Sequence, residues 1–276
     1  MDIKDYIVNK KKIIDKALDK YLPSGSVKPQ IIHRAMRYSV FPGGKRIRPI
    51  LTIAGFEACG GKDNSVIPVA CGIELVHSYT LVHDDMPCMD DDDFRRGKKA
   101  CHKKFGEDIA LLTGDGLLTL AFQVIAESGN IEAVKEISKA VGTCGTIGWQ
   151  VVDILGKKLK VKAKKLDIEY VNKKKTAALF EIAVKAGGII KGASKQKINA
   201  LGNFGRDIGL AFQLIDDLKD RNGYVKLYGE ERTKEKAKIL ANIAKNHLEI
   251  FGNNAARLLE LANMLLKLVL RKNNYV

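Results

Sequence analysis

The 276-residue chain is short of several features that would place a protein quickly. Its five cysteines (Cys59, Cys71, Cys88, Cys101 and Cys144) form no CxxC pair and no even set. That excludes a disulfide framework, and reduced thiols in the cytoplasm are expected. Aromatics make up 7% of the chain, and no basic stretch is interleaved with stacking residues as single-strand nucleic-acid binders require. No uninterrupted apolar run approaches the roughly 18 residues of a membrane span, so no stable membrane insertion is expected. The opening MDIKDYIVNKKKIIDKALDKYL mixes charges from its second residue and lacks the apolar centre of a secretory signal. Strand-like alternation bounded by turn signals is nearly absent.

Lysine and helical periodicity are plentiful. The formal charge of +15 first suggests nucleic acid, but the excess is diffuse, and no nucleic-acid partner is expected. Part of it lies in GKKLKVKAKKLDIEYVNKKK, Gly156 to Lys175, which reads as a solvated helix–helix connection. Such a charge remains compatible with anionic small molecules. Ile3, Ile7, Ile14 and Leu18 share one face of an N-terminal amphipathic helix, and apolar residues recur at three- and four-residue spacing nearly throughout. Breaks fall at Pro42-Gly43-Gly44, Gly60-Gly61, Gly129-Asn130, near Gly223 and at Gly252-Asn253-Asn254. These short connections predict one all-α domain over residues 1–276, a helical bundle of roughly ten helices.

The stretch LVHDDMPCMDDDDFRRG, Leu81 to Gly97, places six aspartates between Asp84 and Asp93. A second apolar stretch, QLIDD, ends on Asp216-Asp217, with Asp220 four residues after Asp216 on the same helix face. Carboxylates grouped in this way repel one another unless cations neutralise them. Oxygen-only clusters suit hard ions such as Mg²⁺, which commonly bridge to a substrate phosphate. A Ca²⁺ loop does not fit, because the alternate-position spacing, central glycine and closing glutamate are missing. A zinc site from His77, His83, Cys88, Cys101 and His102 has no usual ligand spacing. The plain alternative is a charged helix turn in water, which a second such segment disfavours.

Phosphate bridged by metal still needs cationic side chains. Arg95 and Arg96 follow the acidic run, and FPGGKRIRP offers Lys45, Arg46 and Arg48 after a Gly-Gly turn whose amides could approach an anion. The GxxxxGK[ST] spacing of a P-loop is absent, which argues against a nucleotide triphosphatase.

Taken together, GGKRIRP, ELVHSYTLVHDDMPCMDDDDFRRG, GEDIALLTGDGLL, KKTAALFE and GLAFQLIDDLKD resemble, in order, the short-chain trans-isoprenyl diphosphate synthases, and most closely the bacterial-type farnesyl diphosphate synthases. The resemblance implies an all-α bundle around a central cavity, usually a homodimer. It implies a reaction in which isopentenyl diphosphate is joined to dimethylallyl or geranyl diphosphate, with three Mg²⁺ ions bound alongside the allylic diphosphate. In its terms Asp84 and Asp90 coordinate metal with Asp85 in support, and Asp216 and Asp220 coordinate it from the second motif. Arg95, Lys175, Thr176 and Gln213 contact the allylic substrate. Gly44, Lys45, Arg48, His77 and Arg96 bind isopentenyl diphosphate. Tyr79 and Phe212 line the chain-growth cavity.

Two features bear on details. After Asp220 the chain reads RNGYVKLYGEE, shorter than the lysine-bearing loop usual in the family; Arg221 is the one candidate to stand in for the missing lysine. Tyr79 lies five residues before Asp84, about 7.5 Å along a helix axis. A bulky ring there would act as a floor, so a farnesyl product is expected. Geranylgeranyl or geranyl diphosphate is the alternative. A non-catalytic partner subunit is disfavoured because both aspartate motifs are intact, and a terpene cyclase because it needs no second diphosphate site.

Overall fold

The computed structural model describes residues 2–158 and 165–270, with side chains described over 2–155 and 177–267. In chain order the helices are α1 (Ile3–Tyr21), α2 (Gln30–Val40), α3 (Ile47–Ala58), α4 (Ile67–Asp84), α5 (Cys101–Phe105), α6 (Glu107–Ala126), α7 (Ile131–Val141), α8 (Thr146–Lys158), α9 (Lys165–Ile190), α10 (Lys195–Asp220), α11 (Tyr224–Tyr228), α12 (Glu230–Asn246) and α13 (Ala256–Leu270). A 3-10 segment, Glu249–Ala255, precedes α13. The sheet content among the described residues is one two-residue hairpin, β1 (Phe94–Arg95) against β2 (Lys98–Lys99). The all-α expectation holds, and every break read from glycine falls outside an α-helix. The connection read over Gly156–Lys175 is narrower than expected, because α8 runs to Lys158 and α9 starts at Lys165.

The chain divides into two compact units that interleave in sequence: Met1–Ile50 with Asn64–Val134, and Leu51–Asp63 with Lys135–Val276. In the first, Asp2 caps α1 by accepting the Ile3 N–H at 2.7 Å, and Tyr6, Ile14 and Leu18 form the buried face of that helix. Helix α4 is buried on nearly every side from Val69 to Tyr79, as a helix apolar all round must be. Against it lies α6, and Gly114 is what lets them meet: a Cβ there would stand 1.9 Å from the His83 ring. Among the described residues, α6 is also the one helix that is long and apolar enough to cross a membrane by length and composition. Asp115 interrupts its apolar run, and Ala110, Leu117, Ala121, Val124 and Ile125 are buried in the core.

In the second unit α9 and α10 pack along much of their length, and α12 also packs on α10. Backbones touch where α3 crosses α9: a Cβ on Gly187 would lie 2.2 Å from the Thr52 carbonyl oxygen. Phe56, Phe180 and Phe204 are fully buried there. Burying such a ring contributes on the order of 2–3 kcal/mol.

Candidate active site

The acidic run begins where α4 ends. Asp84 is its last residue, the Asp85 N–H returns to the Leu81 carbonyl at 3.2 Å, and Pro87 prevents continuation. Beyond it the chain curls tightly. The Asp90 N–H donates to the Asp84 carbonyl at 2.9 Å and the Asp92 N–H to the Asp85 carbonyl at 3.2 Å. This closure brings Asp84 and Asp90 to the two ends of one short loop, Asp84 half-buried and Asp90 exposed.

Asp85 behaves differently. It is 2% exposed and is held by Arg95, whose Nε donates to Oδ1 at 2.8 Å and whose Nη2 makes a second contact to the same oxygen. Burial pushes the Asp85 carboxyl up, and the Arg95 bonds offset this only in part. Arg95 also donates to Asp92 Oδ2 at 2.9 Å. An incoming diphosphate would have to share this guanidinium with two carboxylates.

The second motif repeats the pattern in the other unit. Asp216 is half-buried and Asp220 exposed, while Asp217 between them is 7% exposed. Asp217 accepts from Gln213 Nε2 at 3.1 Å and from the Tyr224 N–H at 2.9 Å, and burial raises its pKa against both bonds. The turn after α10 wraps this carboxylate. Arg221 is left-handed at φ 49°, and Gly223, at φ 51°, passes so close that a Cβ would lie 2.5 Å from Asp217 Oδ2. The short loop read from the sequence is therefore a turn built on Asp217. Arg221 serves in it as the helix cap. In each motif the middle aspartate is an internal acceptor, and the flanking pair carries the hard oxygens that suit Mg²⁺.

The basic set gathers in the first unit. Gly44 has φ 142°, and a Cβ there would meet the Arg96 Nη1 at 2.8 Å. Arg96 reaches back to the Gly43 carbonyl, tying the hairpin to the Gly-Gly turn. Arg48 Nη1 lies 3.4 Å from His77 Nε2. A guanidinium only donates, so this ring nitrogen is the acceptor and the imidazole is neutral. Burial first, then the cations of Arg48, Arg96, Arg46 and Arg95, hold the His77 pKa well below its ordinary 6.5. Arg48, His77 and Arg96 thus form a positive cluster, and Lys45, nearby in sequence, is exposed.

Arg46, offered by the sequence as a cation for phosphate, is instead an internal ion-pair partner, and Glu74 was not singled out by sequence reasoning. Arg46 is 3% exposed and left-handed at φ 52°. It donates to Glu74 Oε1 at 2.7 Å, Asp15 Oδ1 at 2.8 Å and the Val40 carbonyl at 2.7 Å. Burial draws its pKa down, but Glu74 and Asp15 more than reverse this. The guanidinium locks the turn carrying Lys45 and Arg48 onto α1, α2 and α4. A lone glutamate in the apolar run VACGIELV was the available signal.

Tyr79 is 5% exposed, edge-on to His83 with ring centroids 5.7 Å apart; burial and then Asp84 push its hydroxyl up to about 12. Phe212 packs on Phe180 at 5.3 Å between centroids. Lys175 and Thr176 lie on α9, but their side chains are outside the described residues. The five cysteines are all unpaired.

Residues 29–262 match the polyprenyl synthetase family. The large subunit 1 of a heterodimeric geranylgeranyl pyrophosphate synthase of Arabidopsis thaliana is 40% identical over 292 residues, covering 95% of this chain and 78% of the relative. A geranylgeranyl pyrophosphate synthase of Capsicum annuum is 39% identical over 290 residues, covering 95% and 78%. Among solved structures, an FPP/GFPP synthase from Zymomonas mobilis superposes with a TM-score of 0.91 at 34% identity, covering 96% of this chain and 98% of that one. A geranyltranstransferase from Thermotoga maritima gives 0.87 at 33% identity, covering 96% and 99%.

Proposed function

Because the chain belongs to the polyprenyl synthetase family and is a prenyltransferase with the all-α isoprenoid synthase fold, we propose that it joins isopentenyl diphosphate to an allylic diphosphate. The observation that carries this reading is the pairing of two kinds of site. Two aspartate motifs each present a flanking carboxylate pair, and a separate cationic cluster places Arg48 Nη1 3.4 Å from His77 Nε2, with Arg96 also lowering the His77 pKa. Asp84 with Asp90, and Asp216 with Asp220, would hold three Mg²⁺ ions, which when bound would neutralise charge on the departing pyrophosphate.

The chain's own groups account for the rest. Arg95, with Lys175, Thr176 and Gln213, orients the allylic diphosphate. Arg48, His77, Arg96 and Lys45 hold the isopentenyl diphosphate; with its Nε2 accepting from Arg48, the neutral imidazole has its Nδ1–H left to donate. The allylic C–O bond breaks with its electron pair leaving on pyrophosphate. The isopentenyl double bond attacks the resulting cation, and a proton then passes to pyrophosphate. Apolar walls keep water from the cation.

Geranylgeranyl diphosphate is the product this proposal favours, supported by the names of relatives at 40% and 39% identity. Farnesyl diphosphate, expected from the sequence, is the second reading, and buried Tyr79 is the observation in its favour. A homodimer is part of the proposal. Product sizing decides between the chain lengths: labelled isopentenyl diphosphate and geranyl diphosphate with Mg²⁺, then dephosphorylation and reversed-phase separation. A twenty-carbon alcohol supports the first reading and a fifteen-carbon alcohol the second; no labelled alcohol overturns both.

A further inference from the structure

We propose that Asp91, Asp93 and His102 form a site for a divalent transition-metal ion of the zinc class, separate from the Asp84 and Asp90 pair. One ligand atom from each of the three residues lies within 4.8 Å of the other two. Exposed acids alone would mean little. The second observation is His102, which is 6% exposed and has neither ring nitrogen hydrogen-bonded. Buried polar side chains nearly always find a partner, and a buried imidazole with two orphaned nitrogens calls for one.

The distances suit an ion better than a direct bond. The carboxylates make no hydrogen bond to the ring, yet one oxygen of each lies within 4.8 Å of a ring nitrogen, close enough to share a central ligand. Metal bonds of about 2.0–2.2 Å set two ligands roughly 3.4–4.2 Å apart, so closure asks only for small movements of the two exposed aspartates. The mixed nitrogen–oxygen set selects among metals. Imidazole suits zinc-class ions, whereas Mg²⁺ prefers oxygen alone. Three protein ligands leave a fourth position for water. Lys103 now donates to Asp93 at 2.8 Å, and a bound dication would displace it.

Such an ion would clip the base of the hairpin. Asp93 and His102 flank β1 and β2, and the Ala100 N–H already donates to the Asp93 carbonyl at 2.8 Å across that base. Arg95 and Arg96 ride on the hairpin. Asp91, left-handed at φ 54°, is anchored by its N–H to the Met86 carbonyl at 3.1 Å, which joins the acidic loop to the same clip. The site does not depend on the prenyltransferase reading, and it can fail without affecting it.

The test is a Co²⁺ titration of the full chain in millimolar Mg²⁺, which occupies the oxygen-only sites, read by visible d–d absorption. The expected result is one Co²⁺ per chain, displaced by Zn²⁺, with no thiolate-to-metal charge-transfer band. His102→Gln should weaken binding by at least about tenfold, as ligand loss costs no less than loss of a ligand's hydrogen-bond partner. The double variant Asp91→Asn, Asp93→Asn should do the same, and its exposed positions keep the test decisive if His102→Gln does not fold. Absence of the band in wild type, its persistence in the double variant or in folded His102→Gln, or a thiolate band from Cys88 or Cys101 would each overturn the assignment; a water bridging the three residues would give the first of these.

Discussion

Replacing Glu74 by alanine should be among the most damaging single changes to the first unit, and the structure says by how much. Glu74 is 2% exposed and meets the Arg46 guanidinium at 2.7 Å; the arginine is itself 3% exposed. Removing one partner of a buried ion pair costs about 3–5 kcal/mol, because the other charge is left in a medium that cannot solvate it. Arg46 keeps Asp15 at 2.8 Å and the Val40 carbonyl at 2.7 Å, so the low end, about 3 kcal/mol, is expected. With a urea m-value of about 3 kcal/mol per M, the unfolding midpoint should fall by about 1 M. Glu74→Gln, which retains an acceptor, should lose less. The double change Arg46→Met, Glu74→Leu should recover much of the loss, since apolar replacement of a buried pair is often neutral or stabilising. Arg46 sits between Lys45 and Arg48, so Glu74→Ala should also raise the KM for isopentenyl diphosphate more than that for the allylic primer. A midpoint shift below about 0.3 M with KM unchanged would refute the claim that this pair positions the turn.

Asp84→Ala should lower turnover by two or more orders of magnitude, each tenfold step being about 1.4 kcal/mol of transition-state stabilisation, and chelation should abolish activity; near-normal kcat in this variant would contradict the metal assignment. His77 predicts a pH dependence of stability. Its folded pKa lies below the ordinary 6.5, so as pH falls through that value the unfolded chain takes up a proton that the folded chain refuses. Wild type should therefore lose stability relative to His77→Gln by up to about 1.4 kcal/mol per pH unit below that point, levelling off at the folded pKa; parallel denaturation curves from neutral to acid pH would count against a neutral imidazole held among these arginines. Tyr79→Ala should lengthen the product by an isoprene unit, read by chromatography of the dephosphorylated alcohols, and an unchanged product would move the floor to another residue.

The helical class was legible because periodicity and glycine breaks are local signals, and α1, α4 and α10 follow them closely. The residue types of both aspartate motifs and of GGKRIRP were legible for the same reason. Sequence could not show that Asp85 and Asp217 are buried acceptors while their neighbours are more open, because that division depends on what packs against each carboxylate: Arg95 in one case, the Gly223–Tyr224 turn in the other. The segment after Asp220 read as a shortened loop missing its lysine, and it folds as a turn held by Asp217. Arg46 looked like one more exposed base in a cationic run. Only the three-dimensional approach of Glu74 and Asp15, distant in sequence, makes it an internal strut.

The most direct test of prenyl transfer is incorporation of labelled isopentenyl diphosphate into an allylic primer by the purified chain with Mg²⁺, with released pyrophosphate counted in parallel. One pyrophosphate is expected per isopentenyl unit joined, and none when isopentenyl diphosphate is supplied without a primer. Pyrophosphate release from the allylic primer with no labelled prenyl product would contradict prenyl transfer, because Arg48, His77 and Arg96 would then not be holding a second diphosphate.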